Sequence, residues 1–165
     1  MKRNEILAYL AGLADGEAYI GIKKTKPYKH LWGRVNPAYH ERIQIRMVDE
    51  PAIRLFARTL GGWYYKEKPS AMNGRPLYCY QSSDLQAAHI CALLLPYLRV
   101  KRRQAACALL LRKNKETAKR IKTSTVSSSR WGTPMTGQRG LHSPRTVAYR
   151  ERLWVRCKAL NRVGI

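Results

Sequence analysis

Apolar residues near the start of the chain recur at two periods. Residues 6–17, ILAYLAGLADGE, set Ile6, Leu7, Leu10, Leu13 and Ala14 at helical spacing on one side, and Ala8, Ala11, Gly12 and Asp15 on a second side with almost no bulk. This predicts a buried helix whose small face admits another backbone at close range, with Gly12 costing about 1 kcal/mol of helix propensity against Ala. The helix ends in Asp15 and Glu17, where the negative end of the helix dipole disfavours a carboxylate without a nearby cation. Two acids there ask for a metal ion. The period then changes to two. Residues 18–24 (AYIGIKK) place Tyr19, Gly21 and Lys23 on one face and Ile20 and Ile22 on the other, and residues 39–47 (YHERIQIRM) set His40, Arg42, Gln44 and Arg46 against Glu41, Ile43, Ile45 and Met47.

Asp49 is placed to cap a helix over 51–60 that presents Ile53, Phe56 and Leu60 and stops at Gly61-Gly62. Residues 63–68 and 76–82 read as strands around a turn marked by Asn73-Gly74. An apolar helix over 84–95 follows, capped by Ser83 or Asp84 and ended by Pro96. The order is therefore α, β, β, α, β, β, α, an α+β fold whose sheet has one mostly apolar face for helices. Beyond Pro96 a further helix is expected to run to about Lys122. Residues 123–139, rich in Ser, Thr and Gly and without acids, read as a linker, and 145–160 as a last helix with Val147, Leu153, Trp154 and Leu160. The expected division is a core over 1–122, a basic linker over 123–144 and a basic helix over 145–165.

Charge decides what the free sheet face is for. Lys+Arg 32 against Asp+Glu 10 gives +22, a footprint for a polyanion. No apolar run approaches the roughly 20 residues that span a bilayer, and the first residues carry acids where a signal peptide has none, so an intracellular protein off the membrane is expected. Cys79, Cys91, Cys107 and Cys157 form no CxxC pair and read as buried free thiols. A β-ribbon fits the major groove, and Arg and Gln suit bidentate reading of guanine and adenine, so Arg42, Gln44 and Arg46 are specificity candidates. The stretch 25–38 interleaves Lys26, Lys29 and Arg34 with Tyr28 and Trp32, a composition for phosphate and base contacts together. Lys23, His40, Lys66, Lys68, Arg75 and Gln81 complete the polar tips offered to DNA, with Arg103, Arg130 and Arg139 as further phosphate contacts.

Residues 10–18, LAGLADGEA, resemble the nine-residue signature of the LAGLIDADG homing endonucleases, with Glu17 where Asp is commoner and Ala18 where Gly is usual. The αββαββα order is that family's half-fold. Residues 96–105, PYLRVKRRQA, resemble its Pro-x-Leu-x-x-Lys-x-x-Gln-Ala pattern, whose lysine lies near the scissile phosphates, so the likeness assigns that role to Lys101. With one motif and no second copy, it implies a homodimer packed through Ala8, Ala11, Gly12 and Asp15 and a roughly palindromic DNA duplex. It further implies Glu17 and the Gly16 carbonyl as Mg2+ ligands, Mn2+ substituting, with cleavage of both strands, in the compartment that holds the genome. Many members carry a metal-water-orienting Gln where this chain has Met47. Arg46 and Lys101 are then the candidates to serve in its place. The competing reading is a non-cleaving binding protein on the same fold, an intron RNA maturase or a DNA-binding regulator.

Overall fold

The computed structural model describes residues 2–26, 29–30, 33–34, 36–68, 74–118, 127–128, 134–135 and 142–163. Helix α1 (Arg3–Glu17) leads without a loop into β1 (Ala18–Thr25), which pairs antiparallel with β4 (Ala38–Met47). Between them the backbone of β2 (Lys29–His30) pairs with β3 (Gly33–Arg34). After α2 (Glu50–Leu60), β5 (Trp63–Glu67) and β6 (Leu77–Ser83) complete a four-stranded sheet in the order β1-β4-β6-β5, antiparallel throughout. Helices α3 (Asp84–Leu94), α4 (Arg102–Thr117) and α5 (Pro144–Val163) follow. A two-residue pairing, β7 (Ser127–Ser128) with β8 (Pro134–Met135), lies inside the stretch read as a linker. Helix α4 ends at Thr117, short of the expected Lys122.

Alternation splits the sheet. Ile20, Ile43, Ile45 and Tyr80 are fully buried beneath the helices, where they meet Leu10, Ala14, Ile53, Phe56, Ile90 and Leu94. The Phe56 and Tyr80 rings lie 5.3 Å apart. Helix α2 shows why sequence punctuation places element ends. Asp49 accepts the Ala52 amide at its start, and Gly61 (φ 74) and Gly62 (φ 94) turn the chain at its end in a region that favours glycine. The carbonyls exposed there are taken by side chains from later elements, Leu60 O by Gln86 at 2.7 Å and Gly61 O by Tyr80 at 2.6 Å.

Helix α5 lies on the domain. Leu153 and Cys157 share a second cluster with Ile22 and Tyr39 of the sheet and Cys107 and Leu111 of α4. Polar ties hold it there: Glu151 takes Lys24 at 2.7 Å and the Tyr39 hydroxyl, Arg150 reaches Asn114 at 2.7 Å, and Asn161 donates to Ile20 O at 3.0 Å. All four cysteines are buried free thiols. Among the described residues no helix is long and apolar enough to cross a membrane.

One residue on the apolar side breaks the alternation of types. Glu41, opposite Ile22, is 0% exposed and ion-paired with Arg112 (3.1 Å) and Lys115 (2.6 Å) of α4. Lys115 also reaches Asp84 at 2.9 Å, which in turn holds His40 at 3.0 Å. Burial on its own would raise Asp84, but hydrogen bonds from Lys115 and His40 outweigh it and keep the carboxyl below its ordinary value.

Candidate functional site

The last turn of α1 carries both acids of the motif, and they part company. Asp15 accepts the Arg99 amide at 2.7 Å and the Lys101 amide at 2.8 Å. The Lys101 side chain folds back so that Nζ donates to Ala14 O at 3.0 Å and Gly16 O at 3.3 Å. The cation demanded by a negative helix end is therefore supplied by the protein itself. Burial pulls the Lys101 ammonium below its ordinary range, opposed by Asp15 and Glu17. Glu17, by contrast, is exposed and makes no hydrogen bond or ion pair among the described residues. It stands immediately before β1, where the register Ala18↔Ile45 begins, at the margin of the sheet.

The free face of that sheet is ordered in ranks. Tyr19, Gln44, Gln81 and Trp63 cross all four strands, and Gly21, Arg42 and Ser83 form the next rank. Arg42 Nη2 donates to Gln44 Oε1 at 3.2 Å and Gln81 Oε1 at 2.9 Å, while Gln44 Nε2 lies 3.3 Å from Cys79 Sγ. Arg42, Gln44 and Gln81 thus hold one another. Gly21 leaves room for the Tyr19 ring to lie over it, since a Cβ there would stand 2.5 Å from the Tyr19 hydroxyl and push that side chain aside. Exposed Trp63 and half-buried Tyr65, with rings 5.2 Å apart, add an aromatic edge. Neither is foretold by the sequence, because only the β5–β6 register sets Trp63 beside Gln81.

The structure places Ala11, Asp15 and Lys66 otherwise than expected. Ala11 is fully buried in its own chain's core, and Asp15 is bound to the loop before α4, so neither belongs to the small exposed face of α1. That face consists of Glu5, Ala8, Tyr9, Gly12 and Gly16, and nothing lies within 4 Å of a Cβ built at Gly12 or Gly16. Lys66 pairs with Tyr78 in the rank facing the helices, not on the free face of the sheet. Arg46 pairs with Glu67 at 3.1 Å and lies against Cys79 and Tyr65, directed toward β5. His40 is engaged by Asp84. Met47 faces the core side opposite Tyr78, and Gln44 lies on the other face, as parity requires. Lys23, Lys26, Lys68, Arg75 and Arg103 are exposed. Lys29 and Arg34 are placed by their backbone pairing alone. Trp32, Arg130 and Arg139 lie outside the described residues.

No protein-family model matches the chain, and no curated protein matches it in sequence. Solved structures do match its fold. The homing endonuclease I-CvuI in complex with its target in the presence of calcium is 17% identical, over 96% of this chain and 83% of that one, with a TM-score of 0.67. The archaeal intron-encoded homing endonuclease I-Vdi141I complexed with DNA is 12% identical over 96% and 86%, with a TM-score of 0.67. The LAGLIDADG homing endonuclease I-SmaMI bound to cleaved DNA is 16% identical over 89% of this chain but 42% of that one, with a TM-score of 0.58. The chain has the LAGLIDADG homing endonuclease fold, and by length it corresponds to about half of I-SmaMI.

Proposed function

We propose that the protein is a site-specific DNA endonuclease of the LAGLIDADG homing type, acting as a homodimer on a long, roughly palindromic duplex. The observation that carries this reading is the meeting of an uncommitted carboxylate, Glu17, and the Lys101 ammonium at the margin of a basic, self-organised sheet face. Glu17 and the Gly16 carbonyl are hard oxygen donors that suit Mg2+, with Mn2+ substituting. Among the described residues no three His, Cys, Asp or Glu gather. In this reading Glu17 and Gly16 of one chain would be joined as ligands by a second copy and the DNA phosphates. A divalent ion bound there lowers the pKa of a water and offsets charge at the scissile phosphate. Lys101, held at 3.0 Å from Ala14 O, keeps a proton-bearing cation beside the reacting phosphate and opposes the charge that grows on it.

The second copy fits the exposed stripe of Glu5, Ala8, Tyr9, Gly12 and Gly16, whose small residues let two α1 helices approach closely. Pairing these stripes brings two Glu17 residues near one axis and sets two reading faces side by side. Purified protein is expected to linearise plasmid carrying the uninterrupted site at which its gene inserts, only with Mg2+ or Mn2+. Retention of that DNA without cleavage under either metal overturns the nuclease in favour of a DNA-binding regulator on the same fold, the reading that apolar Met47 favours. Affinity in either case falls steeply with salt, because many phosphates are neutralised.

Arg42 carries the sharpest specificity expectation. Pre-aimed by Gln44 and Gln81, it needs little ordering on binding. Arg42→Ala is expected to weaken the cognate complex by about 1–3 kcal/mol and to relax selectivity at one base pair per half-site. Competition binding against single-substituted sites measures both, and a uniform loss over all sites assigns Arg42 to the backbone instead.

A further inference from the structure

The first acid of the motif has both carboxylate oxygens engaged far along the chain. Asp15 Oδ2 receives the Arg99 amide at 2.7 Å and Oδ1 the Lys101 amide at 2.8 Å, so one side chain fixes two backbone groups two residues apart. Such charge-assisted bonds are short and strong, and a planar carboxylate holding two amides sets both the height and the rotation of the loop. Lys101 is the N-cap of α4, its carbonyl accepting the Ala105 amide at 3.0 Å. The residue so clasped returns its own side chain to α1, with Nζ on Ala14 O at 3.0 Å and Gly16 O at 3.3 Å. Asp15 and Lys101 therefore close a ring between the last turn of α1 and the N-cap of α4.

We propose that Asp15 is the positioning residue for Lys101: its carboxylate clasps the loop ahead of α4 so that the Lys101 ammonium stands at the C-terminal carbonyls of the motif helix. The role in cleavage rests on the reading of Lys101 given above, but the placement of the amine does not. Asp15 acts through Lys101 and touches no reacting atom. Asn in its place keeps one acceptor oxygen and turns an NH2 group toward the second amide, which leaves that N–H unsatisfied.

The test uses the full-length chain as wild type, D15N, D15A and K101M. Reductive dimethylation with formaldehyde and a borane, read by peptide mass spectrometry, reports access to each lysine amine, with exposed Lys66 and Lys113 as internal standards. Lys101 is expected to label several-fold more slowly than the standards in wild type, and as fast as they do in D15A. In the isosteric D15N, which keeps the test sound should D15A fail to fold, labelling is expected to be intermediate. Unchanged Lys101 labelling in folded D15A or D15N overturns the proposal. In metal-dependent cleavage, D15A is expected to fall to the level of K101M, and D15A/K101M no further, because both act through one amine. A double variant about tenfold or more below K101M gives Asp15 a separate role and also overturns it. Wild-type cleavage by K101M removes Lys101 from catalysis, while the labelling result still decides what Asp15 does.

Discussion

Glu17→Gln is expected to lower DNA cleavage at least about a thousandfold, which is about 4 kcal/mol of transition-state stabilisation at 1.36 kcal/mol per tenfold. The substitution keeps the shape of the side chain and removes the charge that a hard cation requires. It disturbs no hydrogen bond or ion pair among the described residues, since Glu17 is exposed at the end of α1 and bonds to none of them. Stability and affinity therefore have no reason to fall. Affinity is carried by a chain of net charge +22, and losing one anion near a phosphate favours binding. The separation of the two readouts is what makes the variant informative. A gel assay that shows intact binding and no cut product places Glu17 in the chemistry. Cleavage within about tenfold of wild type removes Glu17 from the metal site and the nuclease reading with it.

The division between Asp15 and Glu17 also marks where sequence reading runs out. Both acids sit at the same helix end, two residues apart, and by type they are interchangeable. Only the return of Arg99 and Lys101, more than 80 residues later, commits one to the loop and leaves the other free. The element order was legible because each boundary carries local chemistry, Asp49 before α2 and Gly61-Gly62 after it, and because every second residue of β4 from Tyr39 to Ile45 is buried. Alternation equally foretold which of Arg42 and Ile43 faces out. It failed for Ala11, because an alanine is small enough to sit on either side of a helix and residue type alone does not say which. Lys66 was misplaced by composition: a lysine near a hairpin looked like a tip, whereas its parity with Tyr64 and Tyr78 put it on the other face. The pairing of Ser127 with Met135 lies in a stretch whose Ser, Thr and Gly content reads as linker. Pairing between short polar segments has no hydrophobic period to announce it.

Glu41 is the position whose loss is expected to cost the fold most, and although its parity with Ile43 and Ile45 sets it on the apolar face, nothing nearby in sequence supplies its partners. On the helix-facing side of β4 it occupies a site the alternation reserves for an apolar residue, and it is fully buried. Arg112 and Lys115 of α4 arrive from more than 70 residues away to meet it, and their side chains are less than one-fifth exposed. Glu41→Leu therefore leaves two nearly buried cations facing each other without an anion, with only Asp84 still on Lys115. Breaking a buried pair from one side costs about 3–5 kcal/mol, a large share of the roughly 5–15 kcal/mol that holds a domain together. At about 2–4 °C per kcal/mol for a chain of this size, the melting midpoint is expected to drop by roughly 6–20 °C. The cost lies in the stranded charges and not in the loss of an attraction. E41L/R112M/K115M, which removes all three charges at similar volume, is thus expected to recover most of that drop. Calorimetry of the two variants separates the accounts. Should E41L melt within about 2 °C of wild type, the triad contributes nothing net. A triple variant as unstable as E41L makes shape at this site, not charge, the quantity that β4 and α4 share.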